Sequence, residues 1–233
     1  MKKIFYLTLF TLLSTASNAQ YLKNLDIERV KKSAESGNEV AQYNLGRMYY
    51  FGYGTVVNYD ESIYWIMKSA EQGYADAQLQ LGYYYNFGVG TEKNFRKATF
   101  WYRKSAEQGN AIAQFNLGNQ YYDGEGILKD YKKAYYWYKL SAEQGDSGGQ
   151  YHLAIMYYNG QGTLRDYRKA FYWYEQSAKQ GNYNAQYGLG LCYIYGEGTL
   201  RDMRQAAKWI RSSYENGNDR AKYIWEKYEL YNY

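Results

Sequence analysis

Residues 113–145 read AQFNLGNQYYDGEGILKDYKKAYYWYKLSAEQG, and this stretch decides the fold because close copies of it recur at a step of 36 residues. Its first residue recurs as Ala41, Ala77, Ala113, Gly149, Ala185 and Ala221, and its tryptophan as Trp65, Trp101, Trp137, Trp173 and Trp209. Self-similarity at a fixed period of this length is the sequence signature of a stacked repeat architecture.

Each repeat predicts two helices. Ala113, Leu117 and Tyr121 lie four residues apart, so they share one face of a first helix, helix A. The Gly-x-Gly loop that follows ends helix A, because glycine tolerates the left-handed conformation of a C-cap. A favoured N-cap residue then opens helix B at Asn58, Asn94, Asp130, Asp166 and Asp202. We expect helix B to bury the tryptophan series and to run antiparallel to helix A, since the loops are short.

The repeats occupy residues 37–72, 73–108, 109–144, 145–180 and 181–217. The pattern decays on both sides, where Arg29 stands at the tryptophan position and Glu226 at a glycine position. Polar substitutions suit the solvent-facing caps of a repeat array, so residues 20–36 and 218–233 are predicted to be capping helices.

Residues 1–19 have the pattern of a cleaved secretory signal peptide. Lys2 and Lys3 precede an apolar run of about ten residues, and small residues end at Ala19. A membrane anchor is the alternative, but a span needs ~20 apolar residues. We therefore expect a mature chain that starts at Gln20 in the periplasm or outside the cell.

Composition and motifs give little indication of catalysis. The net charge of +5 falls to +3 without Lys2 and Lys3, which is too weak and mixed to indicate nucleic-acid binding. The single cysteine, Cys192, excludes an internal disulfide and is interpreted as a small core residue. The single histidine, His152, is interpreted as a solvated polar residue. No nucleophile, metal or phosphate-loop motif occurs, so we predict no catalytic residues, no metal and no cofactor.

These residues resemble the Sel-one-like repeat (SLR) family, a relative of the tetratricopeptide repeat. Its pattern A-x-x-x-L-G-x-x-Y-x-x-G-x-G, followed by D-x-x-K-A-x-x-W-Y-x-K-A-A-x-x-G, is closely matched by residues 113–126 and 130–145. The resemblance implies an all-α, right-handed α-solenoid of about five antiparallel helix pairs that serves as an adaptor or scaffold. One secreted branch, the cysteine-rich proteins of Helicobacter, is linked to penicillin binding or β-lactamase-like activity, but it pairs cysteines within each repeat, and this chain has one cysteine.

The resemblance also assigns one face of helix A to the concave side of the solenoid. We predict that a peptide or protein binds there, along a row of aromatic and apolar side chains. The row comprises Tyr43, Arg47, Tyr50, Leu79, Tyr83, Phe115, Asn119, Tyr122, Tyr151, Ile155, Tyr158, Tyr187 and Leu191. The alternative is that tyrosine is simply the helix-packing residue that this chain prefers.

A second feature is a basic edge beside the helix B N-caps. It comprises Lys93, Arg96, Lys129, Lys132, Arg165, Arg168, Arg201 and Arg204. One interpretation is a solubilising face that nearby acidic residues offset. The other is attachment to an anionic envelope surface or an acidic partner. The sequence thus favours a non-enzymatic protein-interaction scaffold, with a β-lactamase-like hydrolase and electrostatic attachment as the alternatives.

Overall fold

A computed structural model describes residues 16–23 and 25–233, and within these ranges it contains helices and no strand. The helices are α1 (Ala16–Lys23), α2 (Ile27–Glu35), α3 (Glu39–Phe51), α4 (Tyr59–Glu71), α5 (Ala75–Phe87), α6 (Phe95–Glu107), α7 (Ala111–Asp123), α8 (Tyr131–Glu143), α9 (Ser147–Asn159), α10 (Tyr167–Lys179), α11 (Tyr183–Tyr195), α12 (Met203–Glu215) and α13 (Asp219–Lys227). A short 3-10 helix follows at Leu230–Asn232. Most of the predicted signal peptide, residues 1–15, lies outside the described residues.

The chain divides into an N-terminal unit that ends at Gln108 and a C-terminal unit, Gly109–Tyr233. In the N-terminal unit, each helix from α2 to α6 packs on the next one along the chain. In the C-terminal unit, the same nearest-neighbour packing links α7 to α13. The prediction of an all-α fold of stacked helix pairs is confirmed.

Local sequence signals set the helix boundaries where they were predicted. The Asp130 carboxylate accepts a hydrogen bond from the Lys133 backbone N–H at 3.0 Å and so caps α8, and the N-cap residues of the other B helices do the same. Helix A of each repeat ends at a left-handed glycine, such as Gly124 with φ of 78°. Both signals satisfy backbone groups that a helix end leaves without partners.

The prediction that the tryptophan series is buried is wrong for four of its five members. The residue after each tryptophan enters the core instead, at Ile66, Tyr102, Tyr138, Tyr174 and Ile210. The aromatic ring of Tyr138 lies so close to Gly118 of helix A that a Cβ there would stand 2.6 Å from it. Trp137 is only half-buried beside it. The glycine of helix A therefore makes room for the ring of the following residue.

A polar network that the sequence analysis missed joins neighbouring helices. One buried glutamine of each helix A accepts a hydrogen bond from the amide of the residue thirty positions later, as Gln150 does from Gln180 at 2.8 Å. The Gln150 amide donates to the carbonyl oxygen of Ala142 at 3.3 Å. Ser177 donates to the carbonyl oxygen of Ser147 at 2.7 Å. Buried polar groups with partners of this kind specify register, because leaving one unpaired costs about 1–3 kcal/mol.

The helices at both ends of the chain add to the hydrophobic core. In the N-terminal unit, Leu22 and Val30 join a cluster with Leu45 and Met48. In the C-terminal unit, Ile224 and Leu230 join one with Ile210. Among the described residues, no helix is both long and apolar enough to cross a bilayer.

Candidate protein-binding surface

The predicted binding row lies on the A helices, which are α3 and α5 in the N-terminal unit and α7, α9 and α11 in the C-terminal unit. The structure buries Arg47, Leu79, Tyr83, Phe115 and Asn119. It leaves half-buried Tyr43, Tyr50, Tyr122, Tyr151, Ile155, Tyr158, Tyr187 and Leu191. The prediction of an accessible row is therefore wrong for the first five, and the contacts described next give the reason.

In the N-terminal unit, the side chains of the predicted row pack against one another and against neighbouring aromatic rings. The Arg47 guanidinium lies 5.4 Å from the centre of the Tyr43 ring, which also meets the Tyr74 ring edge-on at 5.2 Å. Tyr83 stacks at a tilt 4.5 Å from Phe87. Burial raises the pKa of Tyr43 and of Tyr83 to about 12. Arg47 and Tyr83 therefore act as packing residues.

In the C-terminal unit, the Tyr138 side chain extends from α8 and packs against three residues of the predicted row. Its ring lies 6.0 Å from Phe115 and 6.3 Å from Tyr122, and its hydroxyl donates to the Asn119 side-chain oxygen at 2.7 Å. Phe115 is 5% exposed. Gly148 of the next helix A leaves room for it, because a Cβ there would stand 3.1 Å from the Phe115 ring.

Two tyrosines of the row connect consecutive repeats. The Tyr122 hydroxyl donates to the Gln161 side-chain oxygen at 3.1 Å, and the Tyr158 hydroxyl donates to the Glu197 carboxylate at 2.7 Å. Each acceptor lies in the Gly-x-Gly loop of the following repeat. Burial and the accepting carboxylate raise the pKa of Tyr158. These hydroxyls are therefore engaged inside the protein.

The remaining members of the C-terminal unit form what we call the tyrosine patch: Tyr151, Ile155, Tyr187 and Leu191, with Arg220 beside them. Tyr187 and Leu191 pack against the terminal core cluster and stay half-buried. Burial raises the pKa of Tyr151 and Tyr187, and the positive charge of Arg220 acts in the opposite direction on both. Arg220 itself is exposed. The patch therefore combines apolar surface with accessible positive charge.

His152 is not the solvated residue that the sequence predicted. Its ring lies 5.0 Å from the rings of Tyr138 and Tyr151 and 5.3 Å from Phe115, and its Nδ1 lies 3.0 Å from the Gly148 carbonyl oxygen. Burial lowers the pKa of His152. Loss of solvent around the ring favours the neutral imidazole, so His152 is a packing residue.

A second aromatic row, which the sequence analysis missed, lies on the B helices. It consists of Tyr64 and Phe100 in the N-terminal unit and Tyr136 and Tyr172 in the C-terminal unit. About half of each ring is exposed, and each meets the next residue, a tryptophan, edge-on at 5.0 Å. The step of 36 residues could have revealed it.

Every cation of the basic edge is exposed. Three of the four that precede the N-caps lie over the first ring of helix B, namely Lys93 over Phe95 at 4.1 Å, Lys129 over Tyr131 at 5.4 Å and Arg165 over Tyr167 at 5.3 Å. In the C-terminal unit, the residue that precedes each of these cations was not predicted to belong to this edge. It is a leucine in all three repeats, Leu128, Leu164 and Leu200, and each is almost fully exposed.

The described residues hold no set of histidine, cysteine and acidic side chains that could bind a metal ion. Cys192 is buried, as predicted, and burial raises the pKa of its thiol to about 12. A thiolate is the nucleophilic form of cysteine, so burial and the raised pKa both disfavour reaction of this thiol in the folded protein.

Comparison with known proteins gives the same repeat and the same fold. The Sel1 repeat model matches residues 40–74, 75–110, 111–146, 147–182 and 184–218. A protective antigen of uropathogenic Escherichia coli that displays an SLR fold is similar at 37% identity and a TM-score of 0.81, over 85% of this chain and 42% of that one. A Sel1 repeat protein from Oxalobacter formigenes is also 37% identical, with a TM-score of 0.76. The match covers 79% of this chain and 74% of the Oxalobacter protein.

A sel1-like repeat-containing protein of Acanthamoeba polyphaga mimivirus shares 51% identity over 39 residues, which is 17% of this chain and 7% of that protein. This chain thus spans less than half of the Escherichia coli antigen and a small part of the viral protein. Five matched repeats nevertheless cover most of the present chain. Their glycines, N-caps and buried alanines are the residues that form the helix pairs described above. The chain therefore belongs to the Sel1 repeat family.

Proposed function

We propose that this protein is a non-enzymatic interaction scaffold that binds a peptide or protein segment on the tyrosine patch of its C-terminal unit. Sel1 repeat proteins are generally protein-interaction scaffolds. The observation that carries the proposal is the accessible remainder of the predicted row: Tyr151, Tyr187 and Leu191 are half-buried, while Arg220 is exposed. Tyrosine and arginine dominate binding hot spots, because each offers a large contact area together with a polar group.

The partner should carry an apolar side chain close to a carboxylate. The rings of Tyr151 and Tyr187 offer apolar surface, and Arg220 supplies a guanidinium that can bind a carboxylate with two parallel hydrogen bonds. The acceptor can be an aspartate, a glutamate or the end of a chain. Phe115 and Asn119 take no part, since they are covered by neighbouring side chains.

The test compares partner capture by the mature chain and three variants. Tyr187→Ala and Arg220→Gln change the patch, whereas Tyr136→Ala changes the aromatic row on helix B and serves as the matched control. Loss of a hot-spot side chain costs about 2 kcal/mol or more, which corresponds to roughly thirtyfold in Kd. We expect the two patch variants to lose a partner that the control retains, with the helical circular dichroism of all three unchanged. If the patch variants keep the partner and Tyr136→Ala loses it, the binding surface is on the B helices.

The non-enzymatic part of the proposal has its own test. The single cysteine is buried and the single histidine lies among aromatic rings, so neither offers an accessible nucleophile or base. We expect purified mature protein to leave a chromogenic cephalosporin intact. Turnover above the buffer background, lost on heat denaturation, would overturn the proposal in favour of a β-lactamase-like hydrolase.

We also propose that the protein acts in the cell envelope or outside the cell, and the support is the three-part pattern of residues 1–19. The intact mass of protein recovered from the periplasm or the medium should match a chain that begins at Gln20. Recovery of the uncleaved chain from the cytoplasm alone would contradict this.

A further inference from the structure

Three leucines stand almost free in solvent along one edge of the C-terminal unit. Leu128, Leu164 and Leu200 are 89%, 88% and 87% exposed, and each occupies the same loop position in successive repeats. A single exposed leucine needs no explanation, but a regular series of them indicates a binding surface. The N-terminal unit lacks the series, because Val56 and Glu92 occupy the same position there.

Contacts between consecutive repeats hold these loops together as one row. Gly162 lies directly against the backbone carbonyl of Tyr131, and Gly198 lies against that of Tyr167, so that a Cβ at either glycine would overlap the oxygen. Each loop therefore rests on the first turn of the preceding helix B. The hydrogen bond from Tyr158 to the loop residue Glu197 tightens the same junction.

Cations flank every leucine of this edge. Lys129, Arg165 and Arg201 follow the leucines directly, and Lys132, Arg168 and Arg204 lie within the first turn of helix B. The N-cap carboxylate of each repeat, such as that of Asp166, accepts a hydrogen bond from the backbone of its own helix and stays negatively charged, but the cations of the same repeat outnumber it. The edge therefore presents exposed leucine side chains next to a net positive charge.

We infer that this leucine–cation edge of Leu128, Leu164, Leu200 and their flanking cations docks on the surface of an anionic lipid bilayer. Leucine side chains enter the boundary between headgroups and acyl chains, while lysine and arginine pair with lipid phosphates. The same residue types, a leucine followed by cations, recur at the same positions in each of the three repeats. That uniformity suits a laterally uniform surface better than a protein partner with distinct pockets. The protein-binding patch is a different surface, so this inference does not rest on the proposed function.

The experiment is co-sedimentation of the mature chain with vesicles. We expect binding to mixed phosphatidylcholine and phosphatidylglycerol vesicles, little binding to phosphatidylcholine alone, and weakening at high salt, because exposed charges are screened. Lys132→Gln, Arg168→Gln and Arg204→Gln together should lower the affinity by about a hundredfold. Each cation near an anionic membrane raises the affinity about fivefold, and three cations are removed.

The leucines are tested separately. Leu128→Ser, Leu164→Ser and Leu200→Ser together should lower the affinity by about tenfold or more, while Val56→Ser, at the same loop position without a following cation, should leave it unchanged. Folding of each variant is checked by circular dichroism, which exposed positions should leave unaltered. If the charge variant loses binding and the leucine variant keeps it, contact is purely electrostatic and the inference fails.

A fluorophore at the edge distinguishes docking on a bilayer from binding to an acidic protein. Leu164→Cys can be labelled selectively with an environment-sensitive dye, because Cys192 is buried. Anionic vesicles should shift its emission to the blue, as expected for a label that enters an apolar layer. Absence of a shift with vesicles, or absence of vesicle binding by the unaltered chain, would overturn the inference.

Discussion

Three consecutive residues of α8 provide a direct test of how helix B packs. Tyr136 is 54% exposed and Tyr138 is 0% exposed. Trp137 lies between them, since it is neither fully buried nor exposed. Replacing each in turn by alanine removes an aromatic side chain from the same turn of the same helix. The differences in stability then report burial and contact, because local helix context is held constant.

The expected magnitudes follow from buried area. A fully buried aromatic side chain removes about 200 Å² from water, so Tyr138→Ala should cost about 5 kcal/mol at ~25 cal/mol per Å². Measured truncations of buried aromatic residues, at about 3–5 kcal/mol, agree with this value. Trp137→Ala should cost less, because this side chain is partly exposed and water can fill the space that it leaves. Tyr136→Ala should cost least. Tyr138→Phe keeps the ring but leaves the Asn119 oxygen without its 2.7 Å donor, which should cost about 1–3 kcal/mol.

The assay is urea denaturation of the mature chain followed by far-ultraviolet circular dichroism, which does not depend on the tryptophan that one variant lacks. The midpoints should fall in the order Tyr136→Ala, Trp137→Ala, Tyr138→Ala, with the last the lowest. A Trp137→Ala variant as unstable as Tyr138→Ala, or less stable, would refute the assignment of Tyr138 as the core residue of this repeat.

Three further predictions concern the C-terminal unit. Gly162→Ala should lower the melting temperature more than Gly181→Ala, because both glycines have positive φ but only a Cβ at Gly162 would overlap the Tyr131 carbonyl oxygen; equal losses would contradict the packing of that loop. Burial lowers the pKa of His152, so the unfolded chain binds the proton more readily; melting temperature should fall as pH drops below about 6.5, and His152→Asn should reduce that fall rather than leave it unchanged. The Cys192 thiol, whose pKa burial raises to about 12, should react with a thiol reagent only after denaturation, and rapid labelling of the folded protein would show that α11 opens locally.

The sequence predicted the helices well, because the signals that begin and end them are local. Asp130 caps α8 and Gly124 ends α7 with side chains and conformations that act within a few residues. Tyr138 shows where such reasoning stops. Adjacent residues on a helix differ by only about 100° in direction. The repeat pattern therefore could not decide whether Trp137 or Tyr138 faces the partner helix, and the space at Gly118 decided it.

The candidate surface depended even more on tertiary packing. The sequence by itself determined which residues share a face of helix A, since that follows from helical geometry. Only the folded chain decided which of them stay accessible: Phe115 is covered by Tyr138 and His152, whereas Tyr187 and Leu191 remain half-buried. Exposure depends on side chains from neighbouring helices, which the spacing within one repeat does not contain.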